Sequence, residues 1–83
     1  MEFFFRDQAY KQFRKLSPAI QKRIVEKLSF FSRQENPLDF AESLRDSTLG
    51  HYRFRVGDYR IVVDREDNRI KILLVGHRRD IYR

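Results

Sequence analysis

Arginine recurs at every second position of Tyr52-Arg53-Phe54-Arg55-Val56, apolar or aromatic residues fill the positions between, and Arg60 follows a Gly57-Asp58 pair. Successive side chains of an extended strand point to opposite faces, so Arg53 and Arg55 share one face while Tyr52, Phe54 and Val56 share the other. A hairpin through Gly57-Asp58 puts Arg60 on the adjacent strand, where three guanidiniums could converge on one anion. Each guanidinium is permanently charged, and its planar fork of N–H donors matches phosphate oxygens in a way that lysine does not. The bland alternative is neutralisation by Asp46, Asp58 and Asp64. For three arginines on one face too few acids stand opposite, and anion binding is the favoured reading.

A second chemical stretch is Gly76-His77-Arg78-Arg79-Asp80-Ile81-Tyr82-Arg83. It places two arginines, an imidazole and a phenol just past a strand end, where they could supply acid/base or stacking functions. His51, at the beginning of a strand, reads as structural. The inventory removes other chemistries: there is no cysteine, only two histidines, no glycine-rich phosphate loop and no serine in a nucleophile turn. Asp64, Glu66 and Asp67 cluster in a hairpin turn, where acids serve turn geometry and solubility, so no metal is assigned.

The elements that must position these residues follow from periodicity. Glu2 to Arg6 reads as a strand dense in aromatics, and Asp7 as the N-cap of a helix to about Leu16 with Ala9, Tyr10, Phe13 and Leu16 as its apolar stripe. Ser17-Pro18 restarts the chain as N-cap and first helical residue, and Ile20, Ile24, Leu28 and Phe31 carry a second helix to about Arg33. Gln34 to Pro37 ends it. A polar segment through Ser47-Thr48, with room for a helical turn, leads into the strands. From His51 the period is two: a strand to Val56, a Gly57-Asp58 turn, a strand from Tyr59 to Asp64, a Glu66-Asp67-Asn68 turn, and a strand from Arg69 to Gly76 whose far end is apolar on both faces and therefore expected at the centre. The expected fold is α+β, a single domain over residues 1–83 in the order β-α-α-β-β-β, with the helical hairpin on one face of a small, mainly antiparallel sheet.

An 83-residue chain with eight Phe and four Tyr can build a real core, although a chain this short buries only roughly 60 to 65% of its unfolded surface. The net charge of +6 sits mainly in the second half, where residues 43–83 hold ten basic against six acidic groups. Nucleic acid, acidic protein segments or anionic surfaces are the partners such a balance favours. No secretory signal or membrane span is apparent, and a cytoplasmic location is expected.

The element order, Leu44-Arg45 ahead of the first long strand, Tyr52-Arg53-Phe54-Arg55-Val56-Gly57-Asp58-Tyr59-Arg60 and the terminal Val75-Gly76-His77-Arg78-Arg79-Asp80-Ile81-Tyr82 together resemble the RelE/ParE superfamily of toxin-antitoxin toxins. The resemblance covers essentially the whole chain and favours the RelE branch. It implies a ribosome-dependent, metal- and cofactor-independent endoribonuclease that cuts messenger RNA in the A site by attack of the ribose 2′-OH, leaving a 2′,3′-cyclic phosphate and a 5′-OH. Carried over by position, Arg53, Arg55, Arg60, Arg78 and Tyr82 would be catalytic: Arg53 and Arg60 stabilising the phosphorane-like charge, Arg78 serving the leaving oxygen, Tyr82 stacking on a nucleotide. Arg45, Arg79 and Arg83 would bind RNA. Arg55 departs from the lysine of well-known members, and arginine is a poor general base; charge stabilisation assisted by a ribosomal or substrate group, or His77 as proton acceptor, could take its place. The resemblance also implies a cognate antitoxin and no membrane partner; a second departure is that the C-terminal helix some relatives carry is not expected here. A gyrase-inhibiting toxin of the ParE branch and an inactive antitoxin-binding corepressor are the alternatives.

Overall fold

The period-two segments form one five-stranded sheet, and the structure, a computed structural model, describes residues 1–45 and 49–81. Its elements are β1 (Glu2–Phe5), α1 (Asp7–Arg14), α2 (Pro18–Ser32), a 3-10 turn (Pro37–Phe40), β2 (Glu42–Ser43), β3 (Tyr52–Val56), β4 (Tyr59–Glu66), β5 (Arg69–His77) and the single-turn α3 (Arg78–Ile81). Spatial order is β1-β5-β4-β3-β2. Only β1 runs parallel to its neighbour, pairing Phe3 with Ile70 and Phe5 with Ile72; the other pairs are antiparallel.

Local chemistry explains the boundaries. The Ser17 side chain accepts from the Ile20 amide at 3.4 Å and Pro18 fills the first helical position, where its missing N–H costs nothing. Arg6, not Asp7, occupies the cap position of α1, and Asp7 is the first helical residue, where its charge suits the positive end of the helix dipole. The helical turn for which the polar segment had room is the 3-10 turn, capped by the Asn36 side chain accepting from Leu38 N. At Gly57 the backbone takes φ +59, the left-handed conformation that a two-residue hairpin turn needs and glycine adopts without strain.

Two expectations about the sheet are corrected. Glu42–Ser43 adds a strand on the outer edge of β3 that periodicity could not show, because two residues carry no alternation. The middle position belongs to β4 and not to β5. β5 pairs with β4 along its length but with β1 only at residues 69–72, so its apolar far end lies beyond β1.

Alternation sorts the strands into a face covered by α1 and α2 and a face bare of them, on which Val62 and Arg60 are nonetheless buried. Phe54, Ile61, Val63, Ile70, Ile72 and Val75 point toward α1 and α2 and are buried with Ala9, Phe13, Ile24, Leu28 and Phe31. Phe54 is the hub: its ring stacks on Phe31 at 4.6 Å and meets the edge of Phe3 at 5.6 Å. Beyond the reach of β1, the Gln12 side chain accepts from the Val75 amide at 2.9 Å and satisfies the exposed edge of β5. No helix among the described residues is long and apolar enough to cross a membrane.

Phe54→Ala would open a cavity at the contact of sheet and helices. The expected loss is about 3 to 5 kcal/mol, read as a fall of the urea midpoint at unchanged m-value; an unmoved midpoint would deny Phe54 that role.

Candidate functional site

The register of the β3–β4 hairpin builds the site. Arg55 lies directly opposite Arg60, and Arg53 opposite Val62, while Phe54 faces Ile61 on the covered side. The three arginines therefore share the bare face, but in different environments. Arg60 is only 7% exposed, and its Nη1 donates to the carbonyls of Gly57 at 2.8 Å and Tyr59 at 3.0 Å. It braces the turn as well as contributing charge. The Arg55 side chain is 59% exposed and that of Arg53 17%.

Like charges directly opposite on a ladder repel, and a carboxylate that the sequence reading overlooked compensates. Glu42 on β2 pairs with Arg53 in register. Its Oε2 accepts from Arg53 Nη2 at 2.6 Å and its Oε1 meets Arg55 Nε at 2.5 Å, so one carboxylate forks two guanidiniums. The hydrogen bond from Arg53 is the main reason that the Glu42 carboxyl is held below the ordinary carboxylate range. The positive charges of Arg53, Arg55 and Arg60 lower it further, and desolvation opposes them. Asp64, one of the acids first considered as a neutraliser, instead accepts from the backbone amide of His51 at 2.6 Å and contacts its Nδ1 at 2.7 Å. Asp46 lies outside the described residues. The signal for Glu42 was an acid shortly ahead of a strand bearing two arginines, visible only once a paired extended segment is placed there.

The C-terminal stretch reaches the same end of the sheet. The Arg78 amide donates to the Asp58 carbonyl at 2.8 Å, pinning the start of α3 to the β3–β4 turn. Arg78 and Arg79 are exposed. His77 packs edge-on against Tyr59 at 5.4 Å, and its Nδ1 accepts from the Arg79 amide at 3.2 Å. The neutral ring then carries its proton on Nε2, presenting a donor where a base needs a lone pair. Arg45 is exposed and lies at the opposite end of β3, just past Leu44, whose amide donates to the His51 carbonyl at 2.8 Å. Tyr82 and Arg83 lie outside the described residues. The arrangement offers phosphate-matching donors on a rigid sheet, with Arg78 at its rim.

Residues 3–82 match the family model described as the ParE toxin of the type II toxin-antitoxin system, parDE. The curated Toxin RelG of Mycobacterium tuberculosis is 36% identical over 81 residues, covering 95% of this chain and 92% of the relative. Among solved structures, the toxin-antitoxin complex RelBE2 from Mycobacterium tuberculosis contains a chain similar to this one at TM-score 0.77 and 29% identity, over 92% of this chain and 95% of that one. The RelB-RelE antitoxin-toxin complex from Methanococcus jannaschii matches at TM-score 0.74 and 23% identity, over 95% and 94%, a likeness of fold.

The depressed Glu42 carboxyl fixes a sign. A folded pKa below the unfolded one contributes stability at neutral pH that disappears as pH falls through the folded value. Wild type should therefore exceed Glu42→Gln in urea midpoint at pH 7, with the difference shrinking below about pH 4 as the carboxyl protonates. A difference independent of pH between 7 and 2 would deny the ion pair its part.

Proposed function

Because this chain belongs to the ParE toxin family of type II toxin-antitoxin systems, within the RelE/ParE superfamily, we propose that it is a ribosome-dependent endoribonuclease cleaving messenger RNA by attack of the 2′-OH. The observation that carries the reading is the group of Arg53, Arg55 and Arg60 on one bare, rigid sheet face, with Arg78 tied by its backbone to the adjoining turn. When the 2′-oxygen attacks, negative charge accumulates on the nonbridging phosphate oxygens. Donors already aimed there stabilise the transition state without reorganising, and each is worth about 10²- to 10³-fold in rate.

Arg55 and Arg53 would hold the scissile phosphate in the place that Glu42 takes in the free protein. A carboxylate and a phosphodiester both offer two oxygens to a guanidinium fork, so the substrate exchanges one anion for another and finds the arginines already oriented. Arg60, with its Nη1 bound to the turn, adds charge from below. Arg78 would neutralise the departing 5′-oxygen, and Tyr82 would stack on a neighbouring nucleotide. Arg45, Arg79 and Arg83 would contact the RNA backbone. The ribosome and messenger RNA are the proposed partners together with a cognate antitoxin, by analogy with the RelB-RelE complexes. An acidic antitoxin segment would be drawn by the same positive face, at a rate that falls with salt.

A second reading has its own support, since the matching family model is described by the ParE toxin: a toxin that binds and inhibits gyrase without cutting RNA. Inducing the gene alone and mapping transcript 5′ ends, with and without translation, separates the two. Cuts confined to translated codons are expected, and Arg78→Ala should slow cleavage on isolated ribosomes about 10²- to 10³-fold. Growth arrest with intact messenger RNA would favour the gyrase reading, and folded protein without arrest would favour a corepressor.

A further inference from the structure

Among the described groups at the arginine site, Arg55 is a poor base, His77 turns its lone pair to the Arg79 amide, and the Glu42 carboxylate is held by Arg53 and Arg55 in the place proposed for the phosphate. We propose that His51, oriented by Asp64, is the general base of the cleavage reaction, an inference that rests on the nuclease reading above. Three observations carry it. His51 precedes β3 and extends its ladder, its carbonyl accepting from Leu44 N at 2.8 Å, so residues 51, 53 and 55 alternate onto the same bare face. Two residues of extended chain span about 6.6 Å, which puts the imidazole one side-chain step from Arg53 along the line of arginines.

The second observation is the pairing itself. Asp64 Oδ1 accepts from the His51 amide at 2.6 Å and lies 2.7 Å from Nδ1. A carboxylate accepts only, so Nδ1 carries the proton and Nε2 keeps its lone pair, the tautomer a base requires. This is the reverse of His77. Third, the His51 side chain is 77% exposed, so a ribose can reach it. Asp64 on β4 favours the imidazolium that forms. Arg53 on β3, Lys71 opposite Asp64 on β5 and Arg45 beyond Leu44 disfavour it, and Lys71 is itself paired with Glu66 at 3.8 Å.

In the step proposed, Nε2 takes the 2′-OH proton as the 2′-oxygen bonds to phosphorus. The P–O5′ bond breaks with its electron pair going to O5′, which picks up a proton from water, and the imidazolium returns its proton to solvent. Asp64 is a positioning residue in this step.

The test is single-turnover cleavage of ribosome-bound messenger RNA by wild type, His51→Ala and Asp64→Asn across pH, with binding to ribosomes measured in parallel. His51→Ala keeps the backbone amide that Asp64 caps, so its fold should stand. It should cut about 10²- to 10⁴-fold more slowly with ribosome binding unchanged, lose the acidic limb of the pH–rate profile, and regain rate when imidazole is added. Asp64→Asn should slow cleavage with binding intact. Wild-type rates in His51→Ala, or a loss explained by weaker ribosome binding with no imidazole rescue, would overturn the assignment of His51 alone. A wild-type protein that arrests growth but leaves messenger RNA whole would overturn the nuclease reading and this inference together.

Discussion

A one-residue slip of β3 against β4 would turn Arg53 and Arg55 toward the helices and put Phe54 and Val56 in water. The register of this hairpin is the constraint on which both the core and the candidate site depend. It is set by the left-handed Gly57 in a two-residue turn and held by Arg60, which reaches back to the Gly57 carbonyl. A guanidinium so buried is costly unless its donors are satisfied, so the bonds that anchor the turn also make its charge tolerable. The residue that adds positive potential to the bare face thus also fixes which face is bare.

Much of this was legible in the chain because alternating arginines and apolar residues around Gly57-Asp58 admit few arrangements. Ser17-Pro18 marked the helix start in the same way, through one side-chain oxygen and one missing N–H. The failures came where local sequence has no period. Glu42–Ser43 is a strand only because β3 offers an open edge, so the carboxylate that bridges Arg53 and Arg55 was invisible while three aspartates nearer in sequence drew attention. His51 read as a structural residue at the beginning of a strand, and it immediately precedes β3; that Asp64 holds its ring depends on a cross-strand neighbour that only the register supplies. The middle place of β4 likewise follows from partners at both ends of the chain.

The free protein solves an electrostatic problem that its proposed substrate would solve differently. Arginines on adjacent strands repel, and a face that would receive an anion, as proposed, cannot be neutralised permanently. A single exposed carboxylate bound by two donors is a reversible answer, because solvent screening keeps such a pair weak. A phosphate held by several forks can replace it. The buried member of the trio needs no such exchange, since backbone carbonyls occupy its Nη1.

β1 lies against residues 69–72, the greatest sequence separation of any pairing in the sheet. The aromatic strand made first must wait, solvent-exposed or transiently collapsed on α1 and α2, until the last strand has been synthesised. Contacts that close so long a loop slow folding. A nascent chain of this kind is thus kept from completing its sheet until residues 69–72 have been made, a delay built into the topology.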